Sequence, residues 1–257
     1  MNTPALQAVG LTKSFGGVRA ISEASFVVPE HSVTALIGPN GAGKTTLFNL
    51  ITNLYPADAG EVRLFGRPLA GLPPRAIAAL GLIRTFQSAR IFPGMTALEN
   101  VLAGAHLHLR SPAVAQMLWL PSARAEERTL ARKALDLLEL VGLAGFRDVA
   151  ASELPMGAQK LLEVIRGLMA APKLLLLDEP AAGLNDSETA QLGALLSAVR
   201  DSGITVMVVE HNMSLVMGIA DQVIVLDAGN VVTAGTPAAI RSDPRVIEAY
   251  VGREEEA

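Results

Sequence analysis

The chain has 257 residues, 50% of them hydrophobic and 18% charged, with a formal net charge of −4. That supplies the core of one large domain or a domain with a subdomain, and the acidic balance, with two tyrosines and one tryptophan, argues against a surface that coats nucleic acid. Cysteine is absent, which excludes disulfides and thiolate metal sites; no apolar run reaches the roughly 18 residues of a bilayer span, and Met1–Ala5 lacks the basic start and apolar core of a signal peptide, so a cytosolic chain is expected.

Short β-like runs come first, at Leu6–Leu11, Ala24–Val28 and Val33–Ile37, with another at Glu61–Phe65 after the Ala59–Gly60 turn. Between the third and fourth lies Gly38-Pro39-Asn40-Gly41-Ala42-Gly43-Lys44-Thr45, a match to the phosphate-loop pattern G-x-x-x-x-G-K-[ST]. Its glycines let backbone N–H groups turn inward on a polyphosphate. Lys44 is placed to reach the β and γ phosphates, and the Thr45 hydroxyl to ligate Mg²⁺. Thr46–Thr52 reads as the start of a helix, whose N-terminal end favours anions. The strand–loop–helix context is what the motif requires.

A short helix is expected over about Pro74–Leu80. Beyond Gln87 the pattern turns helical. Thr96 is a plausible N-cap for Ala97–Leu102, and Ala123–Val141 carries Leu130, Ala134, Leu137, Leu138 and Val141 at helical spacing. The apolar, Pro-bounded stretch from His106 to Pro121, with Met117 and Trp119, has no assigned mechanism; packing within the helical part is the expectation. After Gly157 strands and helices alternate: helix about Ala158–Ala170, strand Leu174–Leu177, helix about Glu188–Arg200, strand Ile204–Val209, helix about Met213–Ile219, strands Val223–Leu226 and Val231–Ala234, and a closing helix over Arg245–Gly252. That alternation implies a parallel sheet with both faces covered. The expected class is therefore α/β: a phosphate-loop core on a mainly parallel mixed sheet, an antiparallel β part, and an inserted helical part.

Two further features carry chemistry. Leu174–Leu177 delivers Asp178 and Glu179 to a strand's carboxyl end, where open α/β sheets bind ligands. Asp178 is placed to hold Mg²⁺ and Glu179 to polarise a water aimed at the γ-phosphate. His211, after Ile204–Val209, is aimed at the same edge, where an imidazole can contact the γ-phosphate.

This ordered set resembles the ATP-binding cassette (ABC) transporter ATPase family over nearly the whole chain. The resemblance implies that Gln87, in Leu82–Gln87, contacts Mg²⁺ or the attacking water. It implies that Phe15 stacks on adenine, the alternative being a core phenylalanine. It makes Ala182–Asp186, with Asn185, the loop that crosses a dimer. Glu179–Asn185, Glu210–Gly218 and Asp243–Gly252 are similar, more narrowly, to the larger ATPase of branched-chain amino acid importers, a resemblance that implies import of branched-chain or related amino acids, or of amides, urea or aromatic acids. The resemblance then implies ATP and Mg²⁺ as cofactors, with Thr46 completing the phosphate loop. Glu179, His211 and Gln87 would be the catalytic set, and Thr45, Gln87 and Asp178 the metal set. A second ABC ATPase would be present, expected to be a paralogue, with two membrane permeases and a substrate-binding protein, all at the cytoplasmic face of the inner membrane. The implied division is 5–86 and 159–235 for the core and β part, 87–158 for the helical part, and 236–257 for a tail. Ile91–Met95 would offer apolar contact to a permease. Alternatives are a lipopolysaccharide-export ATPase and a weakly hydrolysing dimerisation module.

One stretch departs from the family. Where its signature reads Leu-Ser-Gly-Gly-Gln, this chain has Leu154-Pro155-Met156-Gly157-Ala158-Gln159. Proline replaces the serine whose hydroxyl would face a partner's ATP, while Gly157 keeps a backbone N–H there in trans.

Overall fold

The computed structural model describes residues 3–85, 91–107 and 121–251. Gln87, Met117, Trp119 and the tail from Gly252 lie outside them.

Two sheets organise the chain. The first is antiparallel with order β2-β1-β4-β5, from β1 (Leu6–Phe15), β2 (Val18–Val28), β4 (Ala59–Leu64) and β5 (Arg67–Pro68). β1 and β2 run well beyond the expected Leu6–Leu11 and Ala24–Val28. They meet at Phe15↔Val18 across Gly16 and Gly17, both at positive φ (52° and 88°), the conformation a two-residue hairpin turn needs and glycine supplies without strain. The second sheet has order β10-β9-β3-β8-β7-β6, from β3 (Val33–Ile37), β6 (Leu82–Arg84), β7 (Leu174–Asp178), β8 (Thr205–Val209), β9 (Gln222–Asp227) and β10 (Asn230–Gly235). β9, β3, β8, β7 and β6 are mutually parallel and only β10 is antiparallel, so the mixed, mainly parallel sheet is as expected. β5 and β6 were not anticipated; two and three residues are too few for a period to register.

β3, β7 and β8 are buried at every position, and their alternation sends side chains into two cores. Val33, Ala35, Ile37, Leu175, Leu177, Val206 and Val208 face one core, shared with the helices α3 (Ala97–Ala103), α5 (Met156–Met169), α6 (Asp186–Asp201) and α7 (Met213–Ile219). Leu36, Leu174, Leu176, Met207 and Val209 face the other, shared with α1 (Lys44–Ile51) and the inner face of the antiparallel sheet. The phosphate-loop helix is thereby wedged between the two sheets.

α2 is Pro74–Ala79. α3 begins at Thr96 as expected: its side chain accepts from the Glu99 N–H and the Glu99 side chain caps in return, a reciprocal capping box. α4 (Pro121–Leu140) buries Ala123, Ala134 and Leu138. α5 starts at Met156, two residues earlier than the pattern suggested. The C-terminal end holds α8 (Pro237–Arg241) and α9 (Pro244–Val251).

Candidate functional site

Parallel register brings the predicted residues to one edge. Leu36 of β3 pairs with Val209 of β8, which pairs with Asp178 of β7. The segments leaving these three neighbouring strands are Gly38–Gly43, Glu210–His211 and Glu179–Ala181.

The loop 38–43 is held from outside. The Gly229 N–H donates to the Ala42 carbonyl (3.0 Å), and Ala42 N–H to Pro39 (3.2 Å). Gly43, at φ 101°, is the N-cap of α1, with no side chain capping the helix. A Cβ at Gly43 would meet the Ala20 carbonyl at 2.6 Å and Ile21 Cδ1 at 2.9 Å, so both conformation and space demand glycine. Lys44 is 8% exposed. Its Nζ donates to the carbonyls of Gly38 (2.7 Å) and Pro39 (3.0 Å), folding the ammonium back over the loop. Burial pushes Lys44 below the ordinary lysine range, while Glu179 and Asp178 pull it back up, which sets both carboxylates within electrostatic reach of the ammonium. Gly41 and Thr45 are exposed, Asn40 is exposed, and Pro39 and Thr46 are half-buried.

Asp178 is buried. Its Oδ2 accepts from Arg84 Nη2 at 3.0 Å, and its Oδ1, also buried, has no hydrogen-bond partner among the described residues. Glu179 adopts φ 49°, sparsely populated for a non-glycine residue and met most at functional sites. Its N–H donates to the Val209 carbonyl at 2.9 Å, and its Oε1 lies 3.9 Å from His211 Nδ1, within ionic reach and too long for a hydrogen bond. His211 is more than half exposed and precedes Asn212, the side-chain N-cap of α7.

Two residues that sequence reasoning passed over shape this edge. One is Arg84. The other is Glu210, 1% exposed, whose Oε1 accepts from Ala181 N–H (2.7 Å) and Oε2 from His211 N–H (3.2 Å) and Asn212 N–H (3.3 Å). One carboxylate thus ties the loop after β7 to the loop after β8.

The remaining predicted residues lie elsewhere. Phe15, at the tip of the β1–β2 hairpin, is 44% exposed, which removes the core alternative. Its ring meets Tyr55 edge-on at 5.5 Å, a partner not anticipated. Gly157 is buried in the first turn of α5, where an added methyl would overlap the Glu188 carboxylate. Asn185 caps α6 in a second capping box with Glu188, each side chain accepting the other's N–H at 3.0 Å. Pro155 is the N-cap of α5 and offers it no side-chain bond. Replacing Pro155 by serine, whose hydroxyl can accept from the first turn, should add about 1 kcal/mol and raise the midpoint of thermal unfolding by roughly 2–4 °C; a lower midpoint would mean the proline ring itself holds the helix start.

Beside this edge, among the described residues, lies a groove of about 1180 Å³ bordered by Arg75, Arg84, Ile91, Phe92, Glu163 and Arg166. Phe92 on its wall begins a segment stapled by the fully buried Asn100, which accepts from Phe92 N–H (2.8 Å) and donates to the carbonyls of Phe92, Met95 and Thr96. Arg166 stacks over Phe92 at 5.4 Å. Among the described residues no helix is long and apolar enough to cross a membrane.

No group of three or more acidic, His or Cys side chains among the described residues forms a metal site by itself. Mg²⁺ needs no such cluster, being held by one or two protein oxygens plus substrate phosphates. The buried, unpartnered Oδ1 of Asp178 is the acceptor such an ion or its water would meet.

Comparisons with known proteins show the family and the fold. The family model for the ABC transporter matches residues 21–182, and that for the branched-chain amino acid ATP-binding cassette transporter matches residues 231–256. The chain is 44% identical to the high-affinity branched-chain amino acid transport ATP-binding protein BraF of Pseudomonas aeruginosa, over 98% of this chain and 99% of that one. It is 40% identical to LivG of Escherichia coli, described in the same words, with the same coverage. Among solved structures, a nucleotide-free ATP-binding cassette from an ABC transporter superposes with a TM-score of 0.84 at 32% identity, over 97% of this chain and 99% of that one. The ADP conformation of an ABC transporter cassette gives 0.84 at 31% over the same shares. The chain belongs to the ABC transporter family, as one of its ATP-hydrolysing cassettes.

Proposed function

We propose that this chain is the ATPase subunit that energises an importer of branched-chain or related amino acids, working at the cytoplasmic face of the inner membrane with a second, paralogous ATPase, two permease subunits and a substrate-binding protein. The observation that carries the catalytic part is the convergence of the loops after β3, β7 and β8, with Lys44, Asp178, Glu179 and His211 on one edge. The match of residues 231–256 to a branched-chain family model, and the relatives named above, support the substrate class.

Phosphates of ATP would lie in the loop 38–46, bonded by its N–H groups and by Lys44 Nζ released from the carbonyls it now bridges. The exposed Phe15, steadied edge-on by Tyr55, would take the adenine face. Thr45, Asp178 and Gln87 would hold Mg²⁺, which when bound would supply charge neutralisation on the phosphates. Glu179 would accept the proton of the attacking water, whose oxygen bonds to the γ phosphorus as the bridging bond to the β phosphate breaks. His211, exposed beside Glu179, would contact the γ-phosphate. The core and β part (5–86 and 159–235) would grip the nucleotide, the helical part (87–158) would present Gly157 to the partner's nucleotide, and Asn185 would lie near the dimer seam. The groove bordered by Ile91 and Phe92, with the Ile91–Met95 segment beside it, would seat a permease segment, and 236–257 would form a tail.

The test is reconstitution of the chain with its paralogue and permeases in vesicles, with the binding protein outside. Leucine, isoleucine or valine should stimulate ATP hydrolysis and accumulate, and Lys44→Ala should abolish both. Hydrolysis coupled only to some other solute would overturn the substrate reading; absence of nucleotide binding would overturn the whole.

A further inference from the structure

We propose that Arg84 is a positioning residue for the metal ligand Asp178, an inference that rests on the nucleotide site proposed above. Arg84 is the last residue of β6 and pairs in register with Leu176, one strand over from the Asp178 carboxylate. Its guanidinium is shared out: Nη2 donates to Asp178 Oδ2 (3.0 Å), and Nη1 to Asn49 Oδ1 (2.7 Å) and Thr52 Oγ1 (3.3 Å). It also lies 5.5 Å over the Phe48 ring. Asn49, Thr52 and Phe48 all belong to or end α1, the helix that begins at Lys44. One planar cation therefore fixes the distance between the phosphate-loop helix and the acid at the end of β7.

Two features indicate positioning rather than stability. The pair is nearly dry, with side chains 8% and 2% exposed, and dry ion pairs commonly return no more than well-packed apolar residues would. The pairing is also one-sided. Arg84 occupies Oδ2, so the carboxylate cannot turn, and Oδ1 is left buried, unpartnered among the described residues and held to one direction. A ligand oxygen kept in one orientation by an outer hydrogen bond is how proteins tune a bound metal. Lysine cannot replace the fork, because a point charge does not span Asn49 and Asp178 together.

The experiment uses the full chain with ATP and Mn²⁺ as a probe for the magnesium position, followed by electron paramagnetic resonance, with metal-free ATP affinity measured in parallel. Arg84→Lys should weaken Mn²⁺ binding in the ATP complex by roughly 10–100-fold and leave metal-free ATP affinity unchanged. Asn49→Ala, which frees one end of the fork and keeps the ion pair, should shift Mn²⁺ affinity the same way by less, and it decides the matter if Arg84→Lys fails to fold. Folded variants that hold Mn²⁺ as tightly as the parent overturn the role of Arg84 alone. A parent chain that binds no ATP, with or without metal, overturns the nucleotide site and this proposal together.

Discussion

Replacing Glu179 by glutamine should cut ATP hydrolysis at this chain's own site by roughly 10²–10⁴-fold while nucleotide still binds. The substitution keeps the shape and hydrogen-bonding reach of the side chain and removes its basicity. Glutamine inherits the same φ of 49°, so the backbone cost is common to both chains and cancels. Binding survives because Lys44 and the loop amides are untouched, although losing a carboxylate that holds the Lys44 proton lowers that lysine's proton affinity further. The size of the loss would also report on asymmetry between the two sites of the proposed heterodimer. The site completed by this chain's own Leu154–Gln159 would lack the serine hydroxyl, because position 155 is proline. Phosphate hydrogen bonds of about 1.5–3 kcal/mol each would slow that site roughly ten- to a hundredfold. Most turnover would then pass through Lys44, Glu179 and His211, and the assembled Glu179→Gln transporter would keep only the slower site's rate, roughly one tenth to one hundredth of the parent. Single-turnover hydrolysis near the parent value for Glu179→Gln would refute the assignment, and a loss of only half would mean that the two sites contribute equally.

The catalytic edge was legible because its parts are local. Buried parallel strands read as nearly unbroken apolar runs, and β3, β7 and β8 are such runs; β7 ends at Asp178, β3 leads into Gly38 and β8 into Glu210–His211. Thr96 with Glu99 and Asn185 with Glu188 carry the spacing of a capping box, yet Asn185 was read only for its place in a dimer; its side-chain oxygen also starts α6. Other contributions have no local signature. Arg84 ends a three-residue strand, and its partners lie 32, 35 and 94 positions away. Glu210 sits beside a histidine that draws the eye, and no pattern in sequence distinguishes an exposed acid from one enclosed by three N–H groups. Tyr55 meets Phe15 from 40 positions away, where the segment after α1 is tied to β1 by Asp58, which accepts from Lys13 Nζ and Ser14 N–H. The early start of α5 follows from Pro155, which has no N–H to leave unpaired and so serves as a helix boundary, letting Gly157 into the first turn beneath Glu188.

Glu210→Ala should be the most damaging of the changes that leave every proposed nucleotide contact in place. The carboxylate is 1% exposed and is the acceptor for three backbone donors, Ala181, His211 and Asn212. Alanine leaves them facing a void. At about 1–3 kcal/mol for each unsatisfied group, discounted for water entering the space, the loss should be roughly 3–5 kcal/mol, or about 10 °C in the unfolding midpoint. Glu210→Gln separates charge from shape. Its amide offers an oxygen to one side only, so either Ala181 or the His211–Asn212 pair must face an NH₂ group, and the two loops lose their common anchor at smaller cost. Ala181 is two residues from Glu179, and His211 is itself proposed to touch the γ-phosphate. The glutamine variant should therefore lower kcat more than it raises KM, and hydrogen exchange should quicken at the Ala181 amide. An alanine variant that melts with the parent would show that water replaces the carboxylate freely. A glutamine variant with unchanged kcat would show that the two loops hold their catalytic groups without it.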